Sequence, residues 1–371
     1  MGYSGMSGRI MVSDLHRQTS ALRQDLLSAM TSVLDSAWFV HGKSCSEFEA
    51  RFAEYCGTAH CVGVANGTDA LEIGLRSMGV KSGSRVATVA NAGFYTSTAL
   101  LAIGAHPVYV DVDPHTMLMD LRQLSEVLDS TDLNAVVITH LYGLMHDMPA
   151  VRRLCDAKGV RVLEDCAQAH GAATTGGKAG SFGHAATFSF YPTKNLGAIG
   201  DGGAVVSNDA DIAAGARTLR QYGWDKKYHV AHTGGRNSRL DEMQAAILAV
   251  KLAHLDTWND RRRAIAGHYT DRIKNPRVTC PPLRGSEYVG HLYVVQCGDR
   301  DGLRAHLDKA GIATDIHYPL PDHQQAAVRE HMRSVSLPVT EHLARRLMTI
   351  PLYPELTDPE IDRVVQAVND W

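Results

Sequence analysis

Long apolar runs are missing from this 371-residue chain, and a membrane-spanning helix is missing with them, since no stretch approaches the roughly 18 consecutive apolar residues that a span requires. An excess of charge of either sign is missing too. Lys and Arg number 37 against 40 Asp and Glu, a formal net charge of -3, so no bulk field draws the chain to nucleic acid or to an anionic lipid surface. Any anion it binds must be held locally. Cys-x-x-Cys pairs are absent as well. The seven cysteines, Cys45, Cys56, Cys61, Cys155, Cys166, Cys280 and Cys297, are odd in number and scattered, which argues against a disulfide framework or a zinc or redox motif. Reduced thiols in a soluble, cytoplasmic protein with no metal are the expectation. The opening MGYSGMSGRIMVSDL lacks the charged start and apolar core of a leader, and Met6 stands where an acylation signal after Gly2 would need Ser or Thr.

What is present is apolar mass: 44% hydrophobic and 21% charged residues, enough for two packed domains. Between about residues 60 and 210 short apolar runs alternate with helix-length amphipathic segments: CVGVA and TDALEIGLRSMG, RVATVA and STALLAIGA, PVYVDV, AVVITHL, then PAVRRLCDAKG and VRVLED. That alternation predicts an α/β fold with a mostly parallel sheet covered on both faces, and in such sheets ligands collect at the carboxyl ends of the strands. From RLDEMQAAIL to GHYTDRI the pattern is helical for longer than an ordinary globular helix, which predicts a long connecting helix. Beyond Pro276, YVGHLYVVQ reads as a strand, GLRAHLDKAG as a helix ended by Gly311, and EIDRVVQAVNDW as a closing helix of a smaller α/β unit.

Three places after strand runs carry chemistry. Asn66-Gly67-Thr68-Asp69, between CVGVA and a helix, leaves free backbone N–H groups at a positive dipole end and so can seat a phosphate; the same string also reads as plain helix capping. Asp165, leaving VRVLE, can hold a proton on a heteroaromatic nitrogen, and Gln168 can donate to a phenolate oxygen. Lys194, at the end of ATFSFYPTK, is a lysine delivered into a partly desolvated cleft, the setting in which an amine turns nucleophilic toward an aldehyde. Ser189 adds a phosphate donor just before it.

In this order and spacing, LEDCAQAHGA followed by FSFYPTKNLGAIGDGGAVVSN resembles the fold-type I, DegT-type sugar aminotransferases. The likeness covers most of the chain and includes FVHGKSCSEFEARFAEYCG, VANGTDAL, IGAHPVYVDVD, GGRNSRLDEMQAAIL, HYPLP and IPLYPELTDPEI. It implies a large domain over residues 1–250, with a mostly parallel, seven-stranded-type sheet between helices, and a smaller C-terminal α/β domain over 251–371. It also implies pyridoxal 5'-phosphate as cofactor. Lys194 would hold it as an imine, Asp165 would pair with the pyridinium nitrogen, Gln168 would approach the ring hydroxyl oxygen, and Gly67, Thr68 and Ser189 would hold the phosphate. Asn237 would reach a phosphate of the other subunit, which implies a homodimer with shared active sites. The ring-stacking aromatic of the family falls on Gly93 in an ungapped reading, so Phe94 is the expected ring, with Tyr95 second.

Within the family, Tyr191-Pro-x-Lys-Asn-Leu-Gly and His317-Tyr318-Pro319 resemble the enzymes that aminate C3 of dTDP-linked 3-keto-6-deoxyhexoses. This implies Tyr191, His317 and Tyr318 in the sugar pocket and L-glutamate as donor, with Arg239, Arg220, Lys226, Lys227 and Arg236 as candidates for the nucleotide's diphosphate. Thr193 stands where close relatives often have Gly. The rivals are a C4 aminotransferase on a 4-keto dTDP- or UDP-sugar, a sugar dehydratase, and a non-catalytic regulator that binds the same cofactor. Lys194 argues against the 3-deoxygenating dehydratases, which carry histidine there. The complete Asp165, Gln168 and Lys194 set argues against the regulator.

Overall fold

The computed structural model describes residues 8–371; the reading of Met1–Ser7 lies outside the described residues. The runs read as strands build one seven-stranded sheet: β1 His60–Val64, β2 Arg85–Thr88, β3 His106–Tyr109, β4 Ala135–Thr139, β5 Arg161–Asp165, β6 Ala185–Ser189 and β7 Gly203–Ser207. Their spatial order is β1-β7-β6-β5-β4-β2-β3. Every pairing is parallel except the two made by β7, which runs antiparallel to β1 and to β6. The parallel strands need long returns, and helices such as Gly67–Ser77, Tyr95–Ile103 and Met148–Asp156 supply them. Strand β4 is buried at all five positions, as a strand covered on both faces must be.

Registers bring the chemistry together. Thr139 pairs with Asp165, and Asp165 with Thr187, so the carboxyl ends of β4, β5 and β6 lie side by side. Neighbouring Glu164 points to the opposite face, where it accepts from the backbone N–H of Phe182 and Gly180 at 2.8 and 3.0 Å and meets the buried His140 Nε2 at 2.9 Å. One acid of the Glu-Asp pair pins the loop that returns to β6, and the other is left for the cleft. Cys166 completes a buried trio with His140 and Glu164, yet both nitrogens of His140 are already engaged, Nδ1 by the His146 N–H at 3.2 Å.

The expected long helix is two helices, Glu242–Leu252 and Leu255–Arg272. The first is apolar nearly all round and packs between the amino-terminal helices and the sheet, with buried Lys251 Nζ donating to the Gly197 carbonyl at 2.8 Å. The second turns its buried stripe toward the later part of the chain, and Ala253-His254 separate the two helices. That later part carries a three-stranded sheet of Val278–Thr279, Tyr293–Cys297 and Leu347–Ile350, covered by Arg300–Lys309 and Asp358–Asn369. One apolar cluster runs from Val136 and Ile138 of β4 through Tyr269 to Val295 and Val364, tying the two sheets into a common core. Among the described residues no helix is long and apolar enough to cross a membrane.

Candidate active site

A cavity of about 680 Å³ opens at the carboxyl ends of β1, β4, β5 and β6 and reaches across to the second sheet. Asn66 caps the helix Gly67–Ser77, its Oδ1 accepting the Asp69 N–H at 2.8 Å, and Asn66, Gly67 and Thr68 all line the cavity. Both readings of this string therefore hold at once. The cap presents the helix's positive end to the void, and the N–H groups of Gly67 and Thr68 meet no acceptor among the described residues. Glycine is required at 67 by close approach: a Cβ there would stand 2.6 Å from Ser189 Cβ and 3.0 Å from its Oγ. Strand β6 ends at that Ser189, so the start of the helix and the end of the strand meet where both line the cavity. The Gly67→Ala variant is expected to bind a phosphate-bearing cofactor about tenfold less tightly, the scale of one lost charge-assisted contact, as read by cofactor titration of the apoenzyme.

Asp165 and Lys194 line the same cavity. Asp165 is buried, with Oδ1 accepting the Ala167 N–H at 3.1 Å and Oδ2 lying 3.3 Å from the Thr139 hydroxyl. Burial raises its pKa, against those hydrogen bonds and the nearby charge of Lys194. Lys194 follows β6 through a turn closed by its own N–H on the Tyr191 carbonyl at 2.8 Å. Its ammonium makes no hydrogen bond among the described residues, and desolvation by surrounding protein brings its pKa down to about 8 despite the pull of Asp165. A carboxylate short of cations faces an amine short of hydration. That pairing suits a ring that carries a basic nitrogen at one end and an aldehyde at the other.

Gln168 is oriented by its partners. Its Oε1 accepts the Tyr142 N–H at 2.6 Å, so Nε2 is the donor end, and it reaches the Tyr318 hydroxyl at 3.2 Å. Tyr191, His317 and Tyr318 also line the cavity, Tyr191 from the mouth and the other two from the later part of the chain, where His317 Nδ1 meets Thr349 Oγ1 at 2.8 Å.

Other candidates fall outside the cavity lining of this chain, as Asn237, expected to serve the other subunit, would have to. Phe94 does not line the cavity and Tyr95 does, its ring 6.2 Å from that of Tyr318 in an edge arrangement. Gly93 and Phe94 are both left-handed, at φ +83° and +70°, and the Phe94 N–H is tied to Asp322 Oδ1 at 2.9 Å, which swings Phe94 away and starts the next helix on Tyr95. A Cβ on Gly93 would come within 2.9 Å of both the Tyr95 and Tyr318 rings, so glycine makes room for them. Arg239 lies outside the cavity lining. Arg220 is spent on Glu49 at 2.5 Å and Arg236 on Asp69 at 3.2 Å, both within the chain. Asn237 and the Lys226-Lys227 pair are exposed away from the cavity of their own chain.

His291 and Arg262 are among the lining residues that had no role assigned from the sequence. His291 is buried, with Nδ1 3.0 Å from Asn195 Oδ1, and Arg262 comes from the helix Leu255–Arg272. Asn195 Nδ2 already donates to Asn259 Oδ1 at 2.9 Å and to the Val289 carbonyl at 3.0 Å, so its Oδ1 is an acceptor and the His291 proton sits on Nδ1. Nε2 of His291 is thereby left with its lone pair, and burial holds the ring neutral.

Sheet and cavity together define the class, the fold-type I aminotransferases. The chain belongs to the DegT/DnrJ/EryC1/StrS aminotransferase family, whose model matches residues 20–369. It is 44% identical over 355 residues to dTDP-3-amino-3,4,6-trideoxy-alpha-D-glucose transaminase of Micromonospora megalomicea subsp. nigra, covering 94% of this chain and 95% of the relative. It is 40% identical over 361 residues to UDP-N-acetyl-3-dehydro-alpha-D-glucosamine 3-aminotransferase of Acidithiobacillus ferrooxidans, covering 97% of each. The crystal structure of S. venezuelae DesV in complex with a ketimine intermediate superposes with a TM-score of 0.94 at 41% identity, covering 98% of this chain and 99% of that one.

Proposed function

We propose that this aminotransferase uses pyridoxal 5'-phosphate to move an amino group from L-glutamate to the C3 keto group of a dTDP-linked 3-keto-6-deoxyhexose, as a homodimer whose active sites are shared. The observation that carries the reading is the cavity itself: Lys194 and Asp165 line it near adjacent strand ends, and Gly67, Thr68 and Ser189 line it too. Sugar as acceptor and C3 as its position rest on relatives whose names specify 3-amino products on both dTDP- and UDP-sugars. Tyr191, His317 and Tyr318, which line the cavity, would meet the hexose, and Tyr95, which also lines it, would stack on the cofactor. The exposed Asn237, which faces no cavity of its own chain, fits a role in the partner's site.

When bound, the cofactor supplies an electron sink for the carbanion formed at the amino-bearing carbon. Asp165 would keep a proton on the ring nitrogen, which deepens the sink. Gln168, whose Nε2 is its donor end, would donate to the ring oxygen. Lys194 Nζ, freed when the donor's amine takes its place, would remove the proton from the donor carbon and hand it to the carbon of the cofactor that had carried the aldehyde; in the second half of the cycle it would move a proton in the opposite direction, onto the acceptor carbon. Leu71, Ala92, Leu141 and Leu352 give the cavity apolar lining, which would help hold bulk water off the reacting carbon.

The test is an incubation of purified enzyme with glutamate and a panel of 3-keto and 4-keto dTDP- and UDP-sugars, with products read by mass spectrometry and NMR. A new C3–N bond on the dTDP 3-keto-6-deoxyhexose is the expected product. Amination at C4 alone would replace the regiochemistry and leave the cofactor chemistry standing, whereas a bound chromophore with no product from any sugar would favour a regulatory protein.

A further inference from the structure

His291 offers the cavity a lone pair whose place is set by a buried chain of amides. Asn259 Nδ2 donates to the His170 carbonyl at 2.8 Å, and its Oδ1 accepts from Asn195 Nδ2 at 2.9 Å. Asn195 Nδ2 donates also to the Val289 carbonyl at 3.0 Å, and its Oδ1 lies 3.0 Å from His291 Nδ1. Main-chain carbonyls can only accept, so they orient both amides, and the proton of His291 must sit on Nδ1. Asn195, Asn259 and His291 are all buried. Nε2 of His291 has no partner among the described residues, yet it is not one of the sealed orphan atoms, as both nitrogens of His170 are, so its surface opens on the void that the ring lines. Burial, and after it the positive charges of Lys194 and Arg262, keep the ring neutral. An acceptor held this firmly loses a hydrogen bond whenever a ligand displaces its water and offers no donor.

Charge narrows the donor that completes it. A carboxylate or phosphate meets a lone pair there and is repelled. A cationic ligand is repelled as well, because the charges acting most on the ring, those of Lys194 and Arg262, are positive. A neutral donor remains, and a hydroxyl is the neutral donor that a sugar carries. His291, like His317 and Tyr318, lines the cavity from the later part of the chain, and it lies within the field of Lys194, the amine that the reacting carbon must reach. The part of a nucleotide sugar beside His291 is therefore the hexose ring next to that carbon, with the base two phosphates away. We propose that His291 Nε2 accepts a hydrogen bond from a hydroxyl at C2 or C4, flanking the carbon to be aminated, so that His291 selects the hydroxylation pattern of the sugar. This deepens the acceptor reading above and rests on it.

The experiment measures dissociation constants on the holoenzyme for dTDP, for the dTDP-linked 3-amino-6-deoxyhexose that the reaction would yield, and for the 2-deoxy and 4-deoxy forms of that amino sugar. In the wild type one deoxy form should bind about tenfold more weakly than the parent, the scale of one hydrogen bond to a buried acceptor. His291→Asn keeps a side-chain N–H near the position of Nδ1 for Asn195 and lacks Nε2. Checked for an unchanged melting temperature and cofactor content, the variant should bind the parent about tenfold more weakly, and bind parent and that deoxy form within about twofold of each other, while dTDP stays within about twofold of the wild type. Equal affinity of the wild type for all the amino sugars overturns the proposal alone, even if the variant does not fold. So does a deoxy penalty that survives undiminished in His291→Asn, or a loss of dTDP by the same factor as the parent. A wild type that binds dTDP but none of the amino sugars sinks the acceptor reading and the proposal with it.

Discussion

Lys194→Ala is expected to lower transamination by at least about four orders of magnitude and to abolish the adduct that borohydride traps in the wild type. The size follows from the amine's double duty. It is the covalent anchor of the cofactor, and it is also the base that carries the proton between carbons, so its loss removes both roles together. The fold should not suffer, because Lys194 Nζ makes no hydrogen bond among the described residues, while the turn that carries it is closed by backbone bonds and by Asn195 beneath. In the wild type the depressed pKa adds a sign that can be checked. With a value of about 8, the neutral amine grows from about a tenth of the population at pH 7 to about nine tenths at pH 9, so apoenzyme should capture cofactor faster as pH rises through that window and level off above it. A Lys194→Ala protein that still turned over, or a capture rate flat from pH 7 to 9, would remove the lysine from its assigned place.

Much of this arrangement was legible in the chain because periodicity is a strong signal for strands buried on both faces. CVGVA, AVVITHL and VRVLED each mark a strand of the central sheet, and the rule that ligands gather at strand carboxyl ends leads directly to Asp165 and Ser189. What stayed hidden had physical causes. The direction of Phe94 depends on two successive positive φ values, at Gly93 and at Phe94 itself, and a bulky residue gives no warning that it will adopt one. The break after Leu252 lies where an almost wholly apolar helix meets an amphipathic one, and each alone continues the same helical pattern. Arg262 was concealed among three consecutive arginines, of which Arg261 and Arg263 pair with Asp358 and Asp260. Its signal was nevertheless present: counting from Leu255, positions 259, 262, 265, 266 and 269 form the buried stripe, and an arginine inside such a stripe must find a partner or provide a site.

Asp165→Asn should fold, keep cofactor, and lose at least about a thousandfold in the rate of donor deprotonation, the scale seen when a preorganised charge is removed from a developing one. Asparagine is close in shape, and its side-chain oxygen can still accept from the Ala167 N–H that Asp165 holds at 3.1 Å, so packing at the end of β5 is preserved. The difference is electrostatic. Burial raises the pKa of Asp165, so without a cation nearby the charged form is costly, and a protonated ring nitrogen is the cation that repays it. A neutral amide cannot hold that proton, and the ring then offers the electrons a much shallower well. The measurement is a single-turnover reaction with glutamate followed by cofactor absorbance, beside a borohydride trap that shows Lys194 still engaged. Retention of the adduct with a collapsed rate separates the carboxylate's role from the lysine's. An Asp165→Asn enzyme within tenfold of the wild-type rate would mean that the ring nitrogen finds its proton elsewhere, and that two side chains sharing a cavity are not sharing a cofactor.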